Sequence, residues 1–184
     1  MIMRYLTVPG LASSGPQHWQ TIWESQDPEH FSRVEQVNWD WPVRTEWVSR
    51  LQEEISLLKE PTVLIAHSLG CITVAHWAQE CTSPFIQGVL FVAPADAEQS
   101  KRLAFVVGFT PIPRLRLPFK SIVVASTNDI YATLERSQQF ADDWGSEFVN
   151  LGKKGHINAV SGLGDWQQGR DILTQLSSKE TALL

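Results

Sequence analysis

With 184 residues, 43% hydrophobic and 19% charged, the chain has the size of one ordinary domain and a globular balance, which excludes disordered, collagen-like and coiled-coil classes. Fifteen basic against twenty acidic residues leave a net charge of −5, and no Lys/Arg cluster exceeds a pair such as Lys153-Lys154, so nucleic acid is not an expected partner. No apolar run approaches the roughly 18 residues of a membrane span, and the opening MIMRYLTVPG lacks a long apolar core or a small-residue cleavage site; a cytoplasmic location is expected.

In chain order, Arg4 to Val8 (RYLTV) is a short apolar strand, Pro16 to Glu24 (PQHWQTIWE) is helix-like, and Arg33 to Asn38 (RVEQVN) is a second strand. Thr45 to Lys59 is the clearest helix, because Trp47, Val48, Leu51, Ile55 and Leu58 fall on one stripe at helical spacing. There follow strand Thr62–Ala66, helix Leu69–Cys81, strand Ile86–Ala93, strand Ser121–Ser126, helix Tyr131–Trp144, strand Glu147–Leu151 and helix Asp165–Leu176. Six strands made mostly of continuous apolar runs predict a parallel sheet with helices on both faces, an α/β architecture. Phe105 to Phe119 interrupts the alternation: it is apolar but carries three prolines and a glycine, so it predicts a loop folded over one edge. Residues 1–178 read as one domain and residues 179–184 as a C-terminal tail. Cys71 and Cys81 fall ten residues apart on one predicted helix, about 15 Å at the helical rise, too far for a disulfide.

The chemistry centres on Ala66-His67-Ser68-Leu69-Gly70, a G-x-S-x-G pattern with alanine in place of the first glycine. Small residues two before and two after the serine let strand and helix backbones nearly touch, and the tight turn projects the hydroxyl. Ser68 also lies just past the carboxyl end of its strand, where open parallel sheets bind ligands. A serine hydroxyl needs a histidine base, itself oriented by a carboxylate. Among the five histidines, only His156 follows the serine in the order Ser, acid, His expected of an α/β-hydrolase, in a glycine-rich loop after the final strand. His67, His76 and His30 read as structural or solvated, and His18 as a residue lining the site. Two aspartates qualify as the acid: Asp129, beside the His156 loop and favoured for that reason, and Asp96, one strand further away. The oxyanion donors are expected to be the backbone N–H groups of Leu69, at a helix N-terminus, and Leu11, in Pro9-Gly10-Leu11, where Gly10 permits close approach.

The segments VPGLASSGPQHWQTIWE, NWDWP, LIAHSLGC, LFVAPAD, STNDIY and GHINAVSGLGDWQQG span nearly the whole chain in order. In them the sequence resembles the short, cap-less α/β-hydrolases of the retinoblastoma-binding protein 9 and YdeN-like family. The resemblance implies the strand order 2-1-3-4-5-6, a catalytic triad at Ser68, Asp129 and His156, and hydrolysis of a small ester, amide or thioester without metal or organic cofactor. Part of that family is implied to bind a protein partner through L-x-C-x-E; this chain has no such sequence, since Cys81 lacks both the leucine and the following glutamate. A non-catalytic interaction module on the same fold is the alternative reading. With no cap domain the cleft is expected to be open, lined by Gly10, His18 and Trp166, and edged by Phe105 to Phe119, Trp39 and Trp41.

Overall fold

Strands β1 (Arg4–Val8), β2 (Phe31–Arg33), β3 (Thr62–His67), β4 (Ile86–Val92), β5 (Lys120–Ala125) and β6 (Glu147–Asn150) form one sheet in the computed structural model, which describes residues 2–177. Every neighbouring pair is parallel, and the order is β2-β1-β3-β4-β5-β6. Helices α1 (Trp19–Gln26), α2 (Arg44–Ser56), α3 (Leu69–Glu80), α4 (Leu134–Trp144) and α5 (Gln167–Ser177) cover it. The tail expected at residues 179–184 lies outside the described residues. Among those residues, no helix is long and apolar enough to cross a membrane.

The continuous apolar strands are explained by two cores. Successive side chains of a strand face opposite ways. Thus Leu64 and Ala66 of β3 meet Trp47, Leu51, Val74, Phe140 and Trp144 of α2, α3 and α4, while Val63 and Ile65 meet Trp19, Trp23, Ile172 and Leu176 of α1 and α5. The chain runs outward from β1 to β2, returns across to β3, and then proceeds the other way to β6. Its direction therefore reverses between β1 and β3, and the crevice at that point opens at the strands' carboxyl ends.

Several expected boundaries shift, each for a local reason. The second strand runs over Phe31–Arg33 rather than Arg33–Asn38, because the chain leaves the sheet after Val34 to pass under α2; Val34 is fully buried and the Gln36 Nε2 donates to the Trp47 carbonyl. Helix α1 begins at Trp19 instead of Pro16, since the His18 Nδ1 caps it by accepting from the Gln20 N–H. Thr133 likewise caps α4 through the Arg136 N–H, leaving Tyr131 outside the helix.

The Phe105 to Phe119 segment is not a flap over the edge of the cleft. Its Phe109 and Ile112 are plugged into the core between α2, α3 and α4. A proline-rich stretch has few backbone donors, so side chains fasten it: the His76 Nε2–H donates to the Phe109 carbonyl at 3.1 Å and the Trp144 Nε1–H to the Pro113 carbonyl at 2.8 Å. Val107 also bridges Val43. Phe109→Ala is expected to cost about 3–5 kcal/mol in urea melts, whereas Phe105→Ala, on a half-exposed ring, costs less than about 1 kcal/mol. A Phe109→Ala loss no larger than that of Phe105→Ala would remove the plug from this account.

Candidate active site

At the join of β3 and α3, Ser68 adopts φ 56° and ψ −123°, a left-handed conformation that a non-glycine residue holds only under packing constraint. The constraint is the approach of three backbones. A Cβ at Gly70 would lie 2.1 Å from the Val8 carbonyl oxygen, and one at Gly10 would lie 2.7 Å from the Ser68 Cβ and 2.9 Å from the His67 carbonyl. Ala66, two residues before the serine, is fully buried, so its extra methyl is accommodated. Gly10 thereby brings the loop after β1 against the N-terminus of α3. Among the described residues, neither the Leu11 N–H nor the Leu69 N–H has an acceptor; the Leu69 nitrogen lies against Gly10, and Leu11 borders the cleft over the serine.

The loops after β5 and β6 complete the constellation. The His156 Nε2 lies 2.8 Å from the Ser68 Oγ, and its Nδ1 lies 2.9 and 2.8 Å from the two oxygens of Asp129. Both the His156 and Asp129 side chains are more than nine-tenths buried. The Ser126 hydroxyl accepts from the Lys154 N–H and the Asn128 Oδ1 from the Gly155 N–H, which tie the aspartate loop to the histidine loop. From the other side, the Trp19 Nε1–H donates to the Ile157 carbonyl. Ser68, Asp129 and His156, far apart in the chain, are thus held in one hydrogen-bonded line.

Asp96, the other candidate acid, is not part of that line. Its buried carboxylate is held by the Arg136 Nε at 2.7 Å and caps the Glu98 and Gln99 N–H groups. Arg136 neutralises it in place, at the end of β4 and so two strands away from the β6 loop that carries His156.

A cleft of about 280 Å³ opens over Ser68, walled by Leu11, His18, His67, Leu103, Tyr131 and Asn158. His18 therefore lines the site as expected, whereas Gly10 does not: it is buried against the Ser68 Cβ and the His67 carbonyl, and Leu11 takes its place in the wall. Trp166 does not line it: the ring stacks on Trp23 and packs against Trp19 in the core beneath the cleft. Trp39 packs on Trp47, and Trp41 covers Phe105, both away from the cleft. His67, read from sequence as structural or solvated, is buried and forms part of the wall: its Nε2–H donates to the His156 carbonyl at 2.9 Å, and its ring lies 4.9 Å from that of His156. Tyr131, which stands 4.4 Å from the same ring, was hidden in a predicted helix, although its place two residues after Asp129 is the signal for it. A separate hollow of about 480 Å³ lies at the opposite ends of β1 and β3, bordered by Arg4, Glu60 and Lys59, remote from these residues.

Fold and site together define a hydrolase of the α/β-hydrolase architecture. The chain belongs to the serine hydrolase family, whose model matches residues 5–175, and within it to the YdeN-like hydrolases. It is 34% identical to a protein of Pectobacterium atrosepticum described as a YdeN-like hydrolase, with a TM-score of 0.85 over 95% of this chain and 90% of that one. The ydeN product of Bacillus subtilis matches at 20% identity and a TM-score of 0.79, over 97% of this chain and all of that one. A monoacylglycerol lipase of Paleococcus ferrophilus matches at 15% identity and a TM-score of 0.66, over 94% and 93%. The last two show a shared fold. No curated protein matches in sequence.

Burial depresses both supporting histidines. His18 is lowered to about 3, first by desolvation and then by Arg33 and His156, and His67 falls well below the usual histidine value by desolvation and by the neighbouring rings. Both are neutral in the folded protein at pH 7. Between pH 6.5 and 5 the unfolded chain takes up protons that the folded one refuses, so stability is full above pH 6.5 and falls as the pH drops. His18 is expected to remove about 2 kcal/mol over that interval, and His67 acts in the same direction. Urea melts at pH 7.0, 6.0 and 5.0 measure the slope, and His18→Gln should flatten it by one histidine's share; an unchanged slope contradicts the assignment.

Proposed function

We propose that this serine hydrolase cleaves a small ester, thioester or amide through an acyl-enzyme on Ser68, with His156 as general base and acid and Asp129 as the group that orients it. The reading rests on one observation above the others: the unbroken line from Asp129 through both ring nitrogens of His156 to the Ser68 Oγ at 2.8 Å, on a strained turn facing a cleft. A buried carboxylate on Nδ1 keeps the proton there and leaves the Nε2 lone pair toward the hydroxyl.

The steps follow from that arrangement. Nε2 takes the Ser68 proton as Oγ adds to the substrate carbonyl, and the carbonyl oxygen gains the charge. The Leu11 and Leu69 amides, which have no acceptor among the described residues, are the proposed donors to that oxygen. The imidazolium then passes its proton to the departing alcohol, thiol or amine as the acyl–oxygen, acyl–sulfur or acyl–nitrogen bond breaks. Water attacks the acyl-enzyme with His156 again as base, which returns the serine and releases the acid. Asp129 remains ionised throughout and balances the charge on His156. A cleft of about 280 Å³ without a lid suits a compact substrate.

A fluorophosphonate probe is expected to label the wild type at Ser68 and to leave Ser68→Ala unlabelled, with loss of phenyl acetate hydrolysis by a factor of about 10⁶. Asp129→Asn should lower kcat about 10⁴-fold, since an amide no longer holds the imidazole tautomer. Asp96→Asn should instead destabilise the fold by about 3 kcal/mol while still taking the label, because it breaks a buried ion pair outside the line. An unlabelled and inert wild type would favour an interaction module.

A further inference from the structure

Two further hollows meet the cleft at Tyr131. One, of about 520 Å³, runs along the outer side of His156 between Ile130, Val160, Lys153 and Lys154. The other, of about 340 Å³, runs over Asp129 and Ile130 to Lys101 and Arg102. Ile130 borders both, so an exposed isoleucine stands between two pairs of cations.

Most arginines elsewhere on the surface are paired, Arg116 beside Gly145 being an exception. Arg4, Arg33, Arg44, Arg50, Arg114 and Arg170 each hold a carboxylate. Among the described residues, Lys101, Arg102, Lys153 and Lys154 hold none, and all four are exposed. The acids bordering the two hollows are already committed, Asp96 to Arg136 and Asp129 to His156. A chain of net charge −5 thus carries uncompensated positive charge along this part of its active-site rim.

The side of the rim matters. Resting on the mechanism proposed above, the imidazolium of His156 must hand its proton to the departing atom, so the leaving group lies within hydrogen-bond reach of Nε2 and extends toward the hollows beside that ring. The geometry points to a substrate whose leaving alcohol, thiol or amine bears an anionic group, a carboxylate or a phosphate, held between Lys153-Lys154 and Lys101-Arg102 with its apolar part on Ile130. The acyl part sits on the Leu11 and His18 side and carries no charge.

The test compares four esters: phenyl acetate, 4-acetoxybenzoate, 4-acetoxyphenyl phosphate and monophenyl glutarate. In Lys153→Glu/Lys154→Glu, kcat/KM for 4-acetoxybenzoate or the phosphate, divided by kcat/KM for phenyl acetate, should fall about tenfold at low salt, and the deficit should shrink in 0.5 M NaCl. The more affected of the two identifies carboxylate or phosphate as the matching group. Lys59→Glu, which alters net charge on the far hollow, should leave the ratios at their wild-type values. Equal ratios in the double variant and wild type overturn the inference while hydrolysis of phenyl acetate stands. A drop confined to monophenyl glutarate overturns it by moving the anion to the acyl side. A wild type inert toward all four esters overturns the mechanism and this inference together.

Discussion

The site depends on how closely three backbones cross at one point. The carbonyl of Val8, the loop at Gly10 and the first turn of α3 at Gly70 occupy space that any side chain would fill. Because they meet there, Ser68 is forced into a left-handed conformation, and the Leu69 amide is brought against Gly10. The strain is local and is held by the register of β1 against β3, whose ladder runs from Arg4–Thr62 to Val8–Ala66. Sheet pairing and site geometry are therefore a single constraint.

Much of this was legible in the amino acids. Thr62 to Ala66 is apolar without alternation because both its faces are covered, and the small residues around Ser68 imply a close crossing of backbones. His156 could be chosen by order along the chain, and Asp129 by its neighbouring strand. What escaped was decided by tertiary contacts. Val34 and Gln36 look like strand, yet α2 claims them; Trp166 looks like a platform for a ligand, yet two other indoles take its faces. His67 is structural, as its place in the turn suggests, but its role in the cleft wall depends on a carbonyl 89 positions later, which no local pattern encodes. Phe109 was placed in a loop, as its prolines require, but its burial came from donors on α3 and α4.

The cleft has two chemically different sides. On one, His18 and His67 are neutral, desolvated rings that exclude water and carry no charge at pH 7. On the other, beyond His156 and Tyr131, lie open hollows with unpaired cations. The Asp129 carboxylate is paired with His156, while Arg136 holds the nearby Asp96. Two carboxylates on adjacent loops thus serve different ends according to the cation each one meets.

The clasp of Trp19 on the Ile157 carbonyl joins the first helix to a loop 138 residues later, and Trp23 does the same for the Asp165 carbonyl. Chain synthesis runs from the amino end, so the serine turn and both indoles emerge long before their acceptors. A nascent chain stopped short of β6 therefore has both indole donors but neither carbonyl, and the loop that carries His156 is fastened to the first helix only after the sheet's last strand has been made.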